Sequence, residues 1–312
     1  MKLPRPHTSA RTFDPPERCI YCGKPGGEEG LRDEHIIPDG LGGRLVYAKA
    51  SCHACEKITS AFEGRIISQA YGDTRAILGL RRGNGRKWPD EFNVQVTREA
   101  EKIDVAVKGD ELPAAVWLTC LNHRPLILDN KPVSGNVKVD LALWSPLKDY
   151  QDRLAALGPG TVSVAKRYRF DEFFRFINRI AFAYAHASLR GKFSPLTVEY
   201  ILRDRGKWIT RYIGGDIIGR PDDASHDIHE LYLAQIKAHG LTYVAVRVHL
   251  FALNDFPAYV VIVGTENAET EQPTGAAHDV KDPGSWTKVN FERFRAETVP
   301  HPRVRFRRVP DE

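Results

Sequence analysis

The sequence predicts an α+β protein in two parts. A small metal-stapled module lies near the N-terminus, and a larger α+β domain with antiparallel strands follows it. Three observations carry this. Two Cys-x-x-Cys pairs, Cys19/Cys22 and Cys52/Cys55, bracket residues 23–51. Within that stretch short extended runs occur, and a helical repeat follows from the second pair onward. Beyond residue 91 alternating apolar runs recur, interrupted by one long helical pattern.

The chain has 312 residues, room for about two domains at roughly 150 residues each. Its net charge of +5 permits a nucleic-acid partner without demanding one. No apolar run approaches the ~20 residues of a membrane span. The opening MKLPRPHTSARTFDPP has no apolar h-region, so neither a membrane segment nor a secretion signal is expected. Residues 1–18 read as a flexible, proline-broken tail. Four of the five cysteines sit in the two pairs, usage that suits a reducing cytoplasm, where such pairs bind metal. The remaining Cys120, inside AAVWLTCL, reads as a small buried hydrophobe.

Four thiolates in two short chelating turns suit a tetrahedral zinc ion. Gly23 permits the tight turn over the first pair. Residues 31–37 read as a short strand ending at Pro38, and DGLGG at 39–43 as a loop. Residues 45–48 form a second strand, and Ser51 is placed to cap a helix over 52–68. Ile58, Phe62 and Ile66 give that helix a buried stripe. His53 lies between Cys52 and Cys55, but the four cysteines already complete the zinc shell, so it is not taken as a ligand.

Residues 68–91 read as a basic linker, with Arg75, Arg81, Arg82, Arg86 and Lys87 open to phosphate contact. Residues 92–97 and 103–107 alternate as an antiparallel pair, and 114–121 and 135–143 add strands. A helix is expected over 171–190, capped by Asp171, with one apolar face through Phe174, Ile177, Ala181 and Tyr184. A short helix over 195–203 and strands at 228–236, 243–251 and 258–263 complete an α+β domain at 92–266. His226 and His229 lack a third ligand and read as a polar turn entering a strand. Residues 267–312 form a polar loop and a basic tail.

Glu34-His35 is chemistry that structural zinc does not need. A neutral imidazole can take a proton from water near pH 7. A carboxylate beside it can hold a hard divalent cation. Together they could activate water against a phosphodiester.

EHIIP followed by GLGG, with Cys-x-x-Cys on both sides, resembles the HNH endonucleases, whose ββα-metal core is treble-clef-like; the resemblance spans residues 19–67. It implies a nuclease module in which Cys19, Cys22, Cys52 and Cys55 hold structural Zn²⁺ and His35 is the general base. Glu34 matches the acidic ligand of a catalytic Mg²⁺ or Mn²⁺. The second ligand usually follows the last cysteine as Asn or His; here that residue is Glu56. Glu63, about two turns along the same helical face, is its rival. Tyr47 stands where the family often has Asn. Arg44, Lys57 and Arg65 are the expected phosphate contacts. The implied partner is nucleic acid, DNA before RNA, and a double-strand break would call for a homodimer. The competing reading is a zinc-stabilised nucleic-acid-binding module without catalysis.

Overall fold

The computed structural model describes residues 10–82, 86–129, 140–162, 169–203, 211–219, 228–254 and 256–266. In chain order these form β1 (Arg11–Phe13), β2 (Leu31–His35), β3 (Leu45–Cys52), α1 (His53–Arg65) and α2 (Gly72–Ile77). Then come β4 (Glu91–Arg98), β5 (Glu101–Lys108), β6 (Val116–Cys120), β7 (Asp140–Trp144), α3 (Tyr150–Ala156) and β8 (Thr161–Val162). The last group is α4 (Phe170–Leu189), β9 (Ser194–Pro195), α5 (Val198–Leu202), β10 (Ile213–Gly215), β11 (His229–Ala238), β12 (Leu241–Leu250) and β13 (Ala258–Thr265). A π-type turn at Ile66–Ala70 continues α1. The class is α+β with mainly antiparallel pairing, as expected.

The largest sheet runs β10-β13-β12-β11, with β9 paired to β13, and every pair is antiparallel. The β11–β12 hairpin closes over His239 and Gly240, both at positive φ, which matches the right-handed twist of the strands it joins. Glu99 and Ala100 close β4–β5 in the same way. The inner strands β12 and β13 are buried along most of their length.

Helix α4 lies between this sheet and the N-terminal module, packing on β12 and β13 on one side and α1 on the other. Every residue from Glu172 to Ala183 is therefore buried, where the sequence suggested a single apolar face. Arg169 occupies the N-cap position and Asp171 sits within the first turn, so Asp171 is not the cap. One apolar cluster runs from Phe13, Ile36 and Phe62 through Phe173 and Phe182 to Val246 and Val261. The zinc-stapled segment thus shares its core with the rest of the chain.

Three other expectations change. Phe13, placed in the flexible tail, is buried because β1 pairs in parallel with β3. In α1 the buried line runs Cys55, Thr59, Phe62 and then Ile66. Buried Cys55 lies on that line, and Ile58 lies off it at 38% exposure. Arg75, assigned to the basic linker, is buried and donates to the Gly40 and Arg81 carbonyls, so it pins the 39–43 loop. Residues 135–139, His226 and the 267–312 tail lie outside the described residues. Among the described residues no helix is long and apolar enough to cross a membrane.

Candidate active site

The first cysteine pair sits in a tight turn. Gly23 N–H donates to the Cys19 carbonyl at 2.9 Å, and Gly23 takes φ +68°, which a side chain would resist. The second pair spans the junction of β3 and α1. The four sulfurs lie within 4.8 Å of one another, and Cys22 Sγ is 3.7 Å from Cys52 Sγ. A tetrahedral zinc with Zn–S near 2.3 Å sets its sulfurs about 3.8 Å apart. Donor set and spacing both fit a structural zinc ion, which would ionise all four thiols. In the protein alone, burial pushes the Cys19 and Cys55 thiols up. Burial also opposes ionisation at Cys52, but hydrogen bonds from Cys55, Cys22 and Cys19 outweigh it and lower that thiol.

From the cysteine end, β2 and β3 run antiparallel, with Leu31 opposite Cys52 and His35 opposite Val46. The loop that follows β2 turns sharply. A Cβ on Gly43 would lie 2.0 Å from the Ile37 carbonyl oxygen, so only glycine fits that close approach. Helix α1 then packs back against the hairpin. Two cysteine pairs, a β hairpin, a glycine loop and a helix therefore make one module, with a histidine at the end of β2. Residues 19–69 match the model of the HNH endonuclease family. No curated protein and no solved structure matches the chain.

Within the HNH module, Glu34 and His35 do not converge. Neighbouring strand residues point to opposite faces, and here Glu34 is buried while His35 is exposed. Among the described residues nothing hydrogen-bonds or ion-pairs with the His35 ring. Its cross-strand partner is Val46, and exposed Arg44 lies two residues before Val46. Tyr47, opposite Glu34, is buried with its hydroxyl 3.1 Å from His186 Nδ1. It supports the inner face of the hairpin and does not reach His35.

On that inner face stands a group that sequence reasoning missed. Arg179, from the middle of α4, donates through Nη1 to the Ile36 carbonyl at 2.7 Å and through Nη2 to Glu34 Oε1. Its Nε lies 2.6 Å from Glu63 Oε1, an ion-pair contact whose angle is not that of a hydrogen bond. Tyr21, from the zinc-binding turn, donates its hydroxyl to the same Glu34 oxygen at 2.7 Å. The side chains of Arg179 and Glu34 are each 3% exposed. Burial, joined by the Glu34 charge and opposed by Arg179, pushes the Glu63 carboxyl up to about 7. The only signal in the sequence was an arginine inside the apolar helical run FINRIAFAYA.

The structure brings Glu63, not Glu56, to Glu34. Glu56 lies on the surface, 2.9 Å from Arg32 Nη1 and 3.7 Å from His53 Nδ1. Of the expected phosphate contacts, Arg44 and Lys57 are exposed, and among the described residues neither has an ion-pair or hydrogen-bond partner for its side chain. Arg65 differs: its guanidinium is held by Glu172, with Nε and Nη2 both 2.9 Å from Oε1. His229 is no metal ligand. Its Nδ1 accepts from Phe251 N–H at 3.1 Å, so its Nε2 donates to the Leu41 carbonyl at 2.8 Å.

Proposed function

We propose that the chain is an HNH-type nuclease that hydrolyses phosphodiester bonds in nucleic acid, DNA before RNA, with His35 as the general base. The observation that supports this best is the free, exposed imidazole at the end of β2 within the cysteine-braced hairpin. A neutral ring there can take a proton from an attacking water. Arg44 and Lys57, both exposed, are the cations available to hold a phosphate and meet its developing charge. Cleavage of both strands of a duplex would need two such modules, so this reading includes a homodimer.

The expected Mg²⁺ or Mn²⁺ does not fit the residues as they stand. Glu34 and Glu63 are the carboxylates that converge, and the Arg179 guanidinium already lies in contact with both.

Supercoiled plasmid is the first substrate to try, with parallel single-stranded DNA and RNA. Nicking by the zinc-loaded protein, lost in His35→Ala with zinc content unchanged, is the expected result. Salt-sensitive binding that is the same in both proteins, with no cleavage of any substrate, would favour the binding-only module.

A further inference from the structure

The disagreement at Glu34 and Glu63 has a definite form. Two carboxylates from β2 and α1 converge where little solvent reaches, an arrangement of hard oxygen donors suited to a divalent cation. Between them lies a guanidinium delivered by a third element, α4. We propose that Arg179 takes the place of the divalent cation in this HNH module, balancing Glu34 and Glu63 and fixing the backbone on both sides of His35. The inference deepens the nuclease reading and rests on residues 19–69 being an HNH module.

Three observations support it. Arg179 uses all three of its nitrogens here: Nη2 on Glu34, Nε on Glu63 and Nη1 on the Ile36 carbonyl. Glu34 and Ile36 flank His35, so one side chain sets the direction of the catalytic strand end from both sides. That makes Arg179 a positioning residue, since it touches the base's neighbours and not the base. The Tyr21 hydroxyl adds a second donor to the Glu34 oxygen that Arg179 already engages, which leaves that oxygen poorly placed to ligate a metal. Finally, an added divalent ion would sit beside a buried guanidinium, and like charges at contact distance in a poorly solvated pocket repel strongly. A bidentate, planar cation on a folded helix needs no recruitment from solution and cannot be removed by a chelator.

The test is binding of Mn²⁺ alone to the zinc-loaded full chain, followed by electron paramagnetic resonance, for wild type, Glu63→Gln, Arg179→Gln and the double variant. Wild type and Glu63→Gln should bind Mn²⁺ equally weakly. Arg179→Gln should gain one saturable site, tighter than wild type by about tenfold or more, and the double variant should lose it. Saturable Mn²⁺ binding by wild type that weakens in Glu63→Gln would overturn the proposal. So would an Arg179→Gln protein with full zinc and native circular dichroism that gains no site. If Arg179→Gln does not fold, the comparison of wild type with Glu63→Gln decides alone. These readouts are independent of cleavage. A failure of plasmid nicking would count against the nuclease reading and leave the cation question where Mn²⁺ binding puts it.

Discussion

Replacing Arg179 with methionine keeps most of the buried stem and removes the charge. The structure allows the cost to be estimated. Breaking a buried ion pair from one side costs about 3–5 kcal/mol, because it strands the partner in a poorly solvated place. The Ile36 carbonyl loses its 2.7 Å donor, and an unsatisfied buried acceptor costs about 1–3 kcal/mol. Against this, the stranded carboxyls can take up protons, and Glu63 is already pushed up to about 7. A net loss of about 4–6 kcal/mol near pH 8 follows. The pH dependence has a definite sign. In Arg179→Met the Glu63 carboxyl loses the charge that opposes its rise, so its folded-state value lies further above the unfolded one, and stability is present at low pH and lost as pH rises through the folded pKa. The penalty should shrink by about 1–2 kcal/mol at pH 5.5. Guanidinium unfolding of zinc-loaded protein at the two pH values measures it. The triple variant with Glu34→Gln and Glu63→Gln should recover much of the loss. A penalty below about 1 kcal/mol, or one that does not grow with pH, would refute the assignment of Arg179 as the buried counter-charge.

Three other outcomes are expected. Cys55→Ser should lower bound zinc from one ion per chain and destabilise the 19–69 module, read by metal analysis and thermal unfolding. His186, lowered to about 4 by burial, should make the fold acid-sensitive. Its neutral form is the stable one, so stability is complete above about 6.5 and is lost as pH falls toward 4, by about 3 kcal/mol; His186→Gln should flatten that slope. Arg44→Ala should weaken DNA binding and reduce its salt slope by about one. Arg65→Ala should leave the slope unchanged and lower stability, because Arg65 is committed to Glu172.

What could be read from the sequence was local. The zinc ligands sit in pairs three residues apart, and the β4–β5 and β11–β12 hairpins follow from alternation on either side of short turns. The opposed faces of Glu34 and His35 were in principle readable too, since a strand over 31–37 already implies alternation. The choice between Glu56 and Glu63 was not readable from helical phase, because each adjoins a buried residue, Cys55 or Phe62. Distance along the helix decides it. Glu56 lies near the cysteine end, level with Arg32. Seven residues further, about 10 Å at 1.5 Å per residue, the helix reaches the level of Glu34. Strand β1 escaped because three residues among prolines carry no period and pair in parallel with β3. Arg179 escaped because its partners lie far back in the chain, Ile36 and Glu34 being 143 and 145 residues earlier.

That separation bears on how the protein is made. The cysteine turns, the hairpin and α1 leave the ribosome first, and zinc can staple them at once. Glu34 then waits for its counter-charge while the chain from the end of α1 to Arg179 in α4 is added, roughly 115 residues at the pace of synthesis. At about 5–20 residues per second this takes about 6–23 s. Through that interval the nascent chain holds a braced hairpin whose acidic inner face is wet and unseated. A polypeptide truncated before α4 would carry every residue of the HNH motif and still lack the group that sets its strand end.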